Sequence, residues 1–284
     1  LVLVDNCIAS EALAFDGKAD ITQHAFDILL HEFHRLISDS HFDYIFHLAG
    51  NANVHTSVTN PDIDFKLNLH ATFSMLEVMR QYSLSTVLIN ASSAAVYGNP
   101  VSLPIREDDA TFPISPYGVS KLASERYLNV YCNLYGLRGV SVRMFSPYGP
   151  RLRKQIVFDL IQKLLKSPRR LEVLGDGTQT RDFIYVDDLI SAILHVARLG
   201  KSIGGVYNIA RGDQITTSSI VDKLVRIMGT RTEVVYSFQN NPGYPDHWRA
   251  DIKRISDLGW KASVSLEAGL RKTVDWVLRE YPQH

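Results

Sequence analysis

Short apolar runs alternating with helix-spaced stretches constrain this chain more than any other feature. Leu1-Val2-Leu3-Val4-Asp5-Asn6 reads as a buried strand ending in an acid, and Tyr44-Ile45-Phe46-His47-Leu48-Ala49-Gly50 as a second ending in glycine. Thr86 to Ala91 and Val140 to Phe145 read as two more. Between them, His24 to Ile37 carries apolar residues at helical spacing. Asp62 to Tyr82 sets Phe65, Leu69, Phe73, Leu76 and Met79 on one stripe. A third helix, opening at Ser115-Pro116, sets Val119, Leu122, Ala123, Tyr127, Val130, Tyr131 and Leu134 on another before Gly136 closes it. Continuous apolar strands joined by amphipathic helices specify an open parallel α/β sheet. Ligands of such sheets sit beyond the carboxyl ends of the strands, and Gly50, Ser93 and Ser146 all lie just past such ends.

After Phe145 the texture changes. Pro147, Gly149 and Pro150 interrupt the pattern, and a basic patch (Arg151 to Lys154) leads to a helix over Gln155 to Leu165. Val186-Asp187-Asp188 opens a helix through Val196, with the acids expected to cap it. Val206 to Ile209 reads as a strand, Ser218 to Met228 as a helix closed by Gly229, Glu233 to Phe238 as a strand, and Ser265 to Arg279 as a last helix. Shorter elements and more loops predict a smaller lobe set against the sheet.

Composition removes several alternatives. Thirty basic and thirty acidic side chains in 284 residues cancel, whereas a nucleic-acid binder carries a basic excess. No apolar run reaches the roughly 20 residues of a membrane span, and no signal-peptide pattern opens the chain. Cys7 and Cys132 form neither a metal spacing nor a disulfide framework, and the ten histidines show no ligand spacing. His47, inside an apolar run, reads as a packed core histidine. A soluble, reducing, cytoplasmic setting without a metal is expected.

The chemistry concentrates in Ser115-Pro116-Tyr117-Gly118-Val119-Ser120-Lys121. Ser115 suits an N-cap and Pro116 the first helical position. Tyr117 and Lys121, four apart, share one face at about 5–6 Å between Cβ atoms. A phenol with an ordinary pKa of about 10 is a poor base at neutral pH, and a nearby ammonium favours its ionised form. The pair can therefore make a phenolate that takes a proton from a hydroxyl.

With Asp5 at a strand end, Asp20-Ile21, His47-Leu48-Ala49-Gly50, Asn68 before Ala71-Thr72, Ser92-Ser93-Ala94-Ala95-Val96-Tyr97-Gly98 and Tyr117-x-x-x-Lys121 in this order, the chain resembles the extended short-chain dehydrogenase/reductase superfamily, in its nucleotide-sugar epimerase/dehydratase branch. Gly175-Asp176-Gly177, Arg181-Asp182-Phe183 and Val186-Asp187-Asp188 extend the resemblance over essentially the whole chain. It implies a Rossmann-like doubly wound parallel sheet with a smaller α/β substrate lobe. The NAD-binding part is expected over 1–145 with 183–205 returning to it, and the nucleotide-sugar lobe over 146–182 and 206–284. It implies NAD as cofactor, held by Asp5, Asn6, Asp20, Ile21, Leu48, Ala49, Gly50, Asn68, Tyr117, Lys121 and Ser146. Ser93, Tyr117 and Lys121 are the implied catalytic set, and Ser93, Ala94, Tyr117, Ser146, Arg181 and Arg249 the implied substrate contacts. The substrate expected is a nucleotide sugar, UDP-linked by resemblance, and a homodimer is expected through the 62–82 and 116–135 helices.

Departures from the family pattern sharpen these expectations. The glycine-rich phosphate turn, which belongs about 20 residues before Asp5, is not in the sequence, so the first strand and its turn are expected to be missing from it. Ser146 stands for a usual asparagine and Ala71 for a usual glycine. Asn241-Pro242-Gly243-Tyr244 stands where Arg-Pro-Gly-Asp is common, leaving Arg249 to compensate. By resemblance, dehydratases and decarboxylases carry an acid just after Ser93; here Ala94 and Ala95 can transfer no proton. A C4 epimerase is therefore favoured over a dehydratase or decarboxylase. A catalytically silent NAD-sensing or scaffold protein on the same fold is the reading from another class, and the intact Ser93, Tyr117 and Lys121 weigh against it.

Overall fold

A computed structural model describes residues 1–6, 20–238 and 245–282. Cys7 and the Asn241 to Tyr244 stretch lie outside the described residues. In chain order the elements are β1 (Val2–Asp5), β2 (Thr22–Ala25), α1 (His31–Asp39), β3 (Tyr44–His47), α2 (Val54–Thr59), α3 (Pro61–Asp64), a π-helical segment over Phe65–His70, α4 (Ala71–Tyr82) and β4 (Val87–Ser93). A 3₁₀ turn (Ala94–Tyr97) leads toward α5 (Pro116–Tyr135), β5 (Arg138–Met144), β6 (Ser146–Tyr148), α6 (Gln155–Lys166), β7 (Arg170–Val173), β8 (Thr180–Arg181), β9 (Phe183–Tyr185) and α7 (Val186–Leu199). The chain ends through β10 (Ile203–Ile209), β11 (Ile215–Thr216), α8 (Thr217–Met228), β12 (Glu233–Tyr236), α9 (Lys253–Ser256) and α10 (Leu266–Glu280).

The central sheet runs β10-β5-β4-β3, every pair parallel, and β1 pairs β2 in a separate parallel ribbon. On one face, α7 and Trp260 cover Ile89, Val140, Val142 and Ile209. On the other, α1, α4 and α5 bury Leu88 with Phe33, Leu76, Met79 and Leu128. The lobe has its own core, where Val157, Ile161 and Leu164 of α6 meet Ile220 and Leu224 of α8 and Leu270 and Val277 of α10. This is the expected Rossmann-like α/β architecture with a smaller α/β lobe.

Several expectations need correction. Thr22 to Ala25 pair with β1, and helix starts only at His31, because Asp27 Oδ1 accepts the Leu29 amide at 2.9 Å and folds the intervening residues into a turn. β1 is half-buried, and Tyr44 and Phe46 of β3 are exposed, since β3 is the last strand in the sheet order. β10 runs to Ile209 alongside β5, so residues 206–209 belong to the sheet, not the lobe. Asp188 does not cap α7; buried, it accepts the Ser263 and Val264 amides at 3.0 and 2.9 Å.

The two long helices depart most from expectation. Phe65 and Phe73 are exposed while Asp64, Asn68 and Thr72 are buried; Leu76 and Met79 alone of the predicted stripe are fully inside. On α5, Val119, Tyr127, Val130 and Leu134 face out, and Tyr117, Ser120, Lys121, Ser124, Glu125 and Leu128 face in. Of the predicted stripes, Leu76, Met79 and Tyr131 are buried, while Phe65, Phe73, Val119, Tyr127, Val130 and Leu134 lie on the outer face.

Candidate active site

β4 delivers Ser93 to the carboxyl edge of the sheet. The backbone is extended there, and Ser93 Oγ accepts the Ala95 amide at 3.2 Å, turning the chain into the 3₁₀ segment. Helix α5 arrives from the other side. Ser115 Oγ accepts the Gly118 amide at 3.2 Å and Pro116 fills the first turn, as the sequence requires. Gly118 permits the close approach: a Cβ there would lie 2.6 Å from the Ala95 carbonyl oxygen. Tyr117 and Ser93 therefore face one cleft of about 410 Å³, together with Ala95, Ser146, Arg181 and Trp248.

One turn into α5, Lys121 is buried, its Nζ 5.9 Å from the Tyr117 ring centroid. Burial pulls the ammonium down to about 8, with the Asp64 carboxylate working in the opposite direction. One turn further, Glu125 makes a bidentate pair with Arg143 of β5, at 2.7 and 2.9 Å, and accepts Ser92 Oγ at 2.5 Å. Arg143 also reaches the Tyr97 hydroxyl at 2.8 Å, which in turn donates to Asn208 of β10 at 2.6 Å. The strand carrying Ser93, the helix carrying Tyr117 and the 3₁₀ turn between them are thus tied to one buried network.

Across the cleft, Arg181 donates to the Thr180 and Asp246 carbonyls at 2.8 and 3.0 Å, with its guanidinium 5.3 Å from the Trp248 ring centroid. Asp182 beside it is turned the other way, accepting the Arg211, Gly212 and Ala250 amides. Arg181 thus sits at the end of β8 with its Nη1 engaged by two backbone carbonyls.

The structure sorts the sequence-derived residues. Ser93, Tyr117, Ser146 and Arg181 line the cleft. Ala94 is fully buried and Ala95 takes its place on the wall, because the 3₁₀ turn points Ala94 into the core. Arg249 is exposed, donates to the Gly212 carbonyl at 3.0 Å and does not line the cleft. Asp5, Asn6, Asp20, Ile21, Leu48, Ala49, Gly50, Asn68 and Lys121 are not part of the cleft wall either. Asp5 and Asn6 close β1, where Asn6 donates to Asp27 at 3.1 Å; Asp20 and Ile21 precede β2, and the Asp20 carbonyl accepts the Leu1 backbone nitrogen at 2.8 Å. Leu48, Ala49 and Gly50 emerge exposed from the end of β3.

Two observations fit a dinucleotide along these strand ends. Asn68 Oδ1 is buried without a hydrogen-bond partner. Gly50, at φ +150°, presents bare backbone beside it, and a Cβ there would sit 2.5 Å from that same oxygen. His47 is the packed core residue expected: its Nε2 is 3.1 Å from Thr72 Oγ1 and burial, then the Lys121 charge, hold it down at about 3. Among the described residues, no group of three or more His, Cys, Asp or Glu side chains is placed to hold a metal, and no helix is long and apolar enough to cross a membrane. Reasoning from sequence missed Asp64, Glu125, Arg143 and Trp248. The one available signal was Tyr117, Lys121 and Glu125 at successive four-residue steps, a polar stripe that extends the reactive pair.

The family model described as "NAD dependent epimerase/dehydratase family" matches residues 6–210. A putative UDP-glucose 4-epimerase of Methanocaldococcus jannaschii is 31% identical over 283 residues, covering 98% of this chain and 90% of that protein. A UDP-glucose 4-epimerase of Thermotoga maritima, solved with UDP-glucose, superposes with a TM-score of 0.89 at 30% identity, over 98% of this chain and 91% of that one. A UDP-glucuronic acid 4-epimerase of Bacillus cereus, solved with UDP-glucuronic acid and NAD, superposes with a TM-score of 0.86 at 32% identity, over 94% and 84%.

Proposed function

The chain belongs to the NAD-dependent epimerase/dehydratase family, and from that premise we propose that it is a cytoplasmic, homodimeric epimerase that inverts C4 of a UDP-sugar through a transient 4-keto sugar. The observation that carries the reading is the convergence of Ser93, Tyr117 and Arg181 on one cleft whose wall beside Ser93 is Ala95. Bound NAD supplies hydride acceptance and return, which leaves the protein one proton to manage. Tyr117, as phenolate, takes it from the C4 hydroxyl and returns it. Lys121, in the turn behind, favours the phenolate electrostatically. Ser93 hydrogen-bonds the reacting oxygen, and Arg181 pairs with the diphosphate. General-base action of this kind contributes about 10²–10⁴-fold.

A 4,6-elimination needs a second proton-transfer group near the sugar, and beside Ser93 the wall offers a methyl group instead. The dehydratase alternative is disfavoured on that ground. The dimer is supported by the outward apolar face shared by the two long helices, where Phe73 and Tyr127 meet edge to face at 5.5 Å and Val130 and Leu134 stand exposed. A reducing compartment is supported by Cys132, which is a buried free thiol.

The test is NMR product analysis with NAD and a panel of UDP-sugars, beside Tyr117→Phe. A C4-inverted sugar with no net NADH, lost by at least about 10²-fold in the variant, is expected. A 4-keto-6-deoxy product would overturn the epimerase reading. Turnover untouched by Tyr117→Phe would overturn the assignment of the base. Light scattering of Leu134→Glu should report a monomer where the wild type is a dimer.

A further inference from the structure

Beneath the reactive helix lies a buried carboxylate that the epimerase chemistry does not use. Asp64 is fully buried at the end of α3, on the inner side of the helical run that the sequence marks as apolar. Its Oδ1 accepts Asn51 Nδ2 at 2.9 Å and Asn68 Nδ2 at 2.8 Å, and its Oδ2 accepts Ser120 Oγ at 2.9 Å. These three donors come from the loop after β3, from the π-helical segment and from α5, so one side chain joins three pieces of the site.

Each donor has a consequence. Because Asn68 spends its amide nitrogen on Asp64, its carbonyl Oδ1 must point the other way, and there it stands buried and unpartnered beside Gly50. Ser120 immediately precedes Lys121 on the buried face of α5, so the same carboxylate pins the turn that presents the ammonium. The groups that couple to Lys121 are Asp64 from α3, His47 from β3 and Tyr117 on its own helix. His47 is neutral. Thr72 Oγ1 already donates to the Asn68 backbone carbonyl at 2.7 Å, so His47 Nε2 must be the donor toward Thr72. Asp64 is then the anion whose field reaches Lys121, opposing the effect of burial on it.

We propose that Asp64 is a positioning residue of this site, whose carboxylate turns the Asn68 side-chain carbonyl toward the cofactor passage at Gly50 and, through Ser120, holds the turn of α5 that places Lys121 within its field. The inference rests on the reading of Tyr117 and Lys121 as the proton-transfer pair, but its test does not depend on which sugar turns over. Asp64→Asn is the informative variant. Its Oδ1 can still accept Asn51 and Asn68, and its Nδ2 can donate to Ser120 Oγ, which accepts as readily as it donates. The variant removes the charge and leaves every hydrogen bond possible.

The experiment follows the ¹³Cε resonance of Lys121 against pH in lysine-labelled protein without added NAD, assigned by its loss in Lys121→Arg, with NAD affinity measured separately. The wild-type midpoint is expected at about 8. In Asp64→Asn it should fall by about one pH unit, the lower end of what an adjacent opposite charge does, while the NAD dissociation constant stays within about threefold of wild type. Asp64→Glu, which restores the charge, should bring the midpoint back toward 8. Asp64→Ala should lower the midpoint and also weaken NAD about tenfold or more, since Asn68 is no longer held. A midpoint unmoved in Asp64→Asn overturns the electrostatic part, and a folded Asp64→Ala that binds NAD like wild type overturns the positioning part. Should Asp64→Ala not fold, Asn68→Leu, which keeps the bulk and loses the carbonyl, takes its place with the same tenfold criterion.

Discussion

Arg143→Met is the most exacting test of how this site is held. The side chains of Arg143 and Glu125 are both about 3% exposed, and the guanidinium makes four hydrogen bonds: two to Glu125, one to the Tyr97 hydroxyl and one to the Glu107 carbonyl at 3.0 Å. Methionine fills similar volume but leaves the Glu125 charge in the interior with Ser92 as its remaining donor. Breaking a buried pair from one side costs about 3–5 kcal/mol, because an uncompensated charge is stranded. At about 2–4 °C per kcal/mol for a chain of this size, the melting temperature should drop by roughly 6–20 °C. Removing both charges, in Glu125→Met with Arg143→Met, should recover most of the loss, since an apolar pair replaces a buried ion pair at little net cost. Urea unfolding at fixed pH and fixed saturating NAD measures all four corners of the cycle, with the cofactor constant because it stabilises only the folded state. The single variant should also lose turnover, since Glu125 holds Ser92 and Ser92 carries Ser93. A single variant within about 1 kcal/mol of wild type, or a double variant whose cost is the sum of the singles, would refute the argument.

Three further outcomes are expected. Gly118→Ala puts a methyl 2.6 Å from the Ala95 carbonyl oxygen; the helix must retreat from the Ser93 turn, costing about 1–3 kcal/mol and at least about tenfold in kcat, as chemical denaturation and product NMR would read. His47 titrates at about 3 in the folded protein, held down by burial and then by Lys121, against about 6.5 unfolded. The unfolded chain therefore binds a proton that the native state refuses, so stability present above pH 6.5 is lost on acidification, about 2 kcal/mol of it between pH 7 and pH 5; His47→Gln should remove that component from the pH dependence of unfolding. Arg181→Lys keeps the charge but loses the fork, and should raise KM for the UDP-sugar by roughly 10–100-fold, about 1.5–3 kcal/mol, with kcat changed far less.

Much of this was legible in the sequence. The alternation of apolar runs with helices named the sheet, and Ser115-Pro116 with Gly136 bounded α5 at both ends. Local chemistry was enough in those places, because a cap or a strand end is decided by a few neighbouring residues. Ser93, Tyr117 and Ser146 were located for the same reason, each standing at an element end that spacing can place, whereas Arg181 came from the resemblance of its Arg-Asp-Phe stretch. What the sequence hid is tertiary. Nothing local says that Thr22 to Ala25 would pair with β1, that Asp27 would then turn the chain toward α1, or that the 3₁₀ turn would bury Ala94 and present Ala95. Glu125 and Arg143 are 18 residues apart in the chain and become a pair only once β5 lies beside β4.

The inverted helices follow from the same physics and connect fold to function. A helix normally buries its apolar stripe, and for α5 that rule would turn Tyr127, Val130 and Leu134 inward. Doing so would expose Tyr117, Lys121 and Glu125 to water, where Lys121 would regain the ordinary basicity that burial now lowers to about 8. The polar stripe can be inside because every turn of it finds a partner there: Ser120 has Asp64, Glu125 has Arg143 and Ser92, and Tyr117 faces the cleft. Burying that stripe leaves Val119, Tyr127, Val130 and Leu134 on the outside, joined through Tyr127 to Phe73 on the neighbouring helix. A surface of that kind calls for a partner. The outward apolar face and the inward reactive face are thus two sides of one choice. On the proposed dimer, a substitution such as Leu134→Glu should therefore lower self-association, read by light scattering, while turnover per chain changes far less.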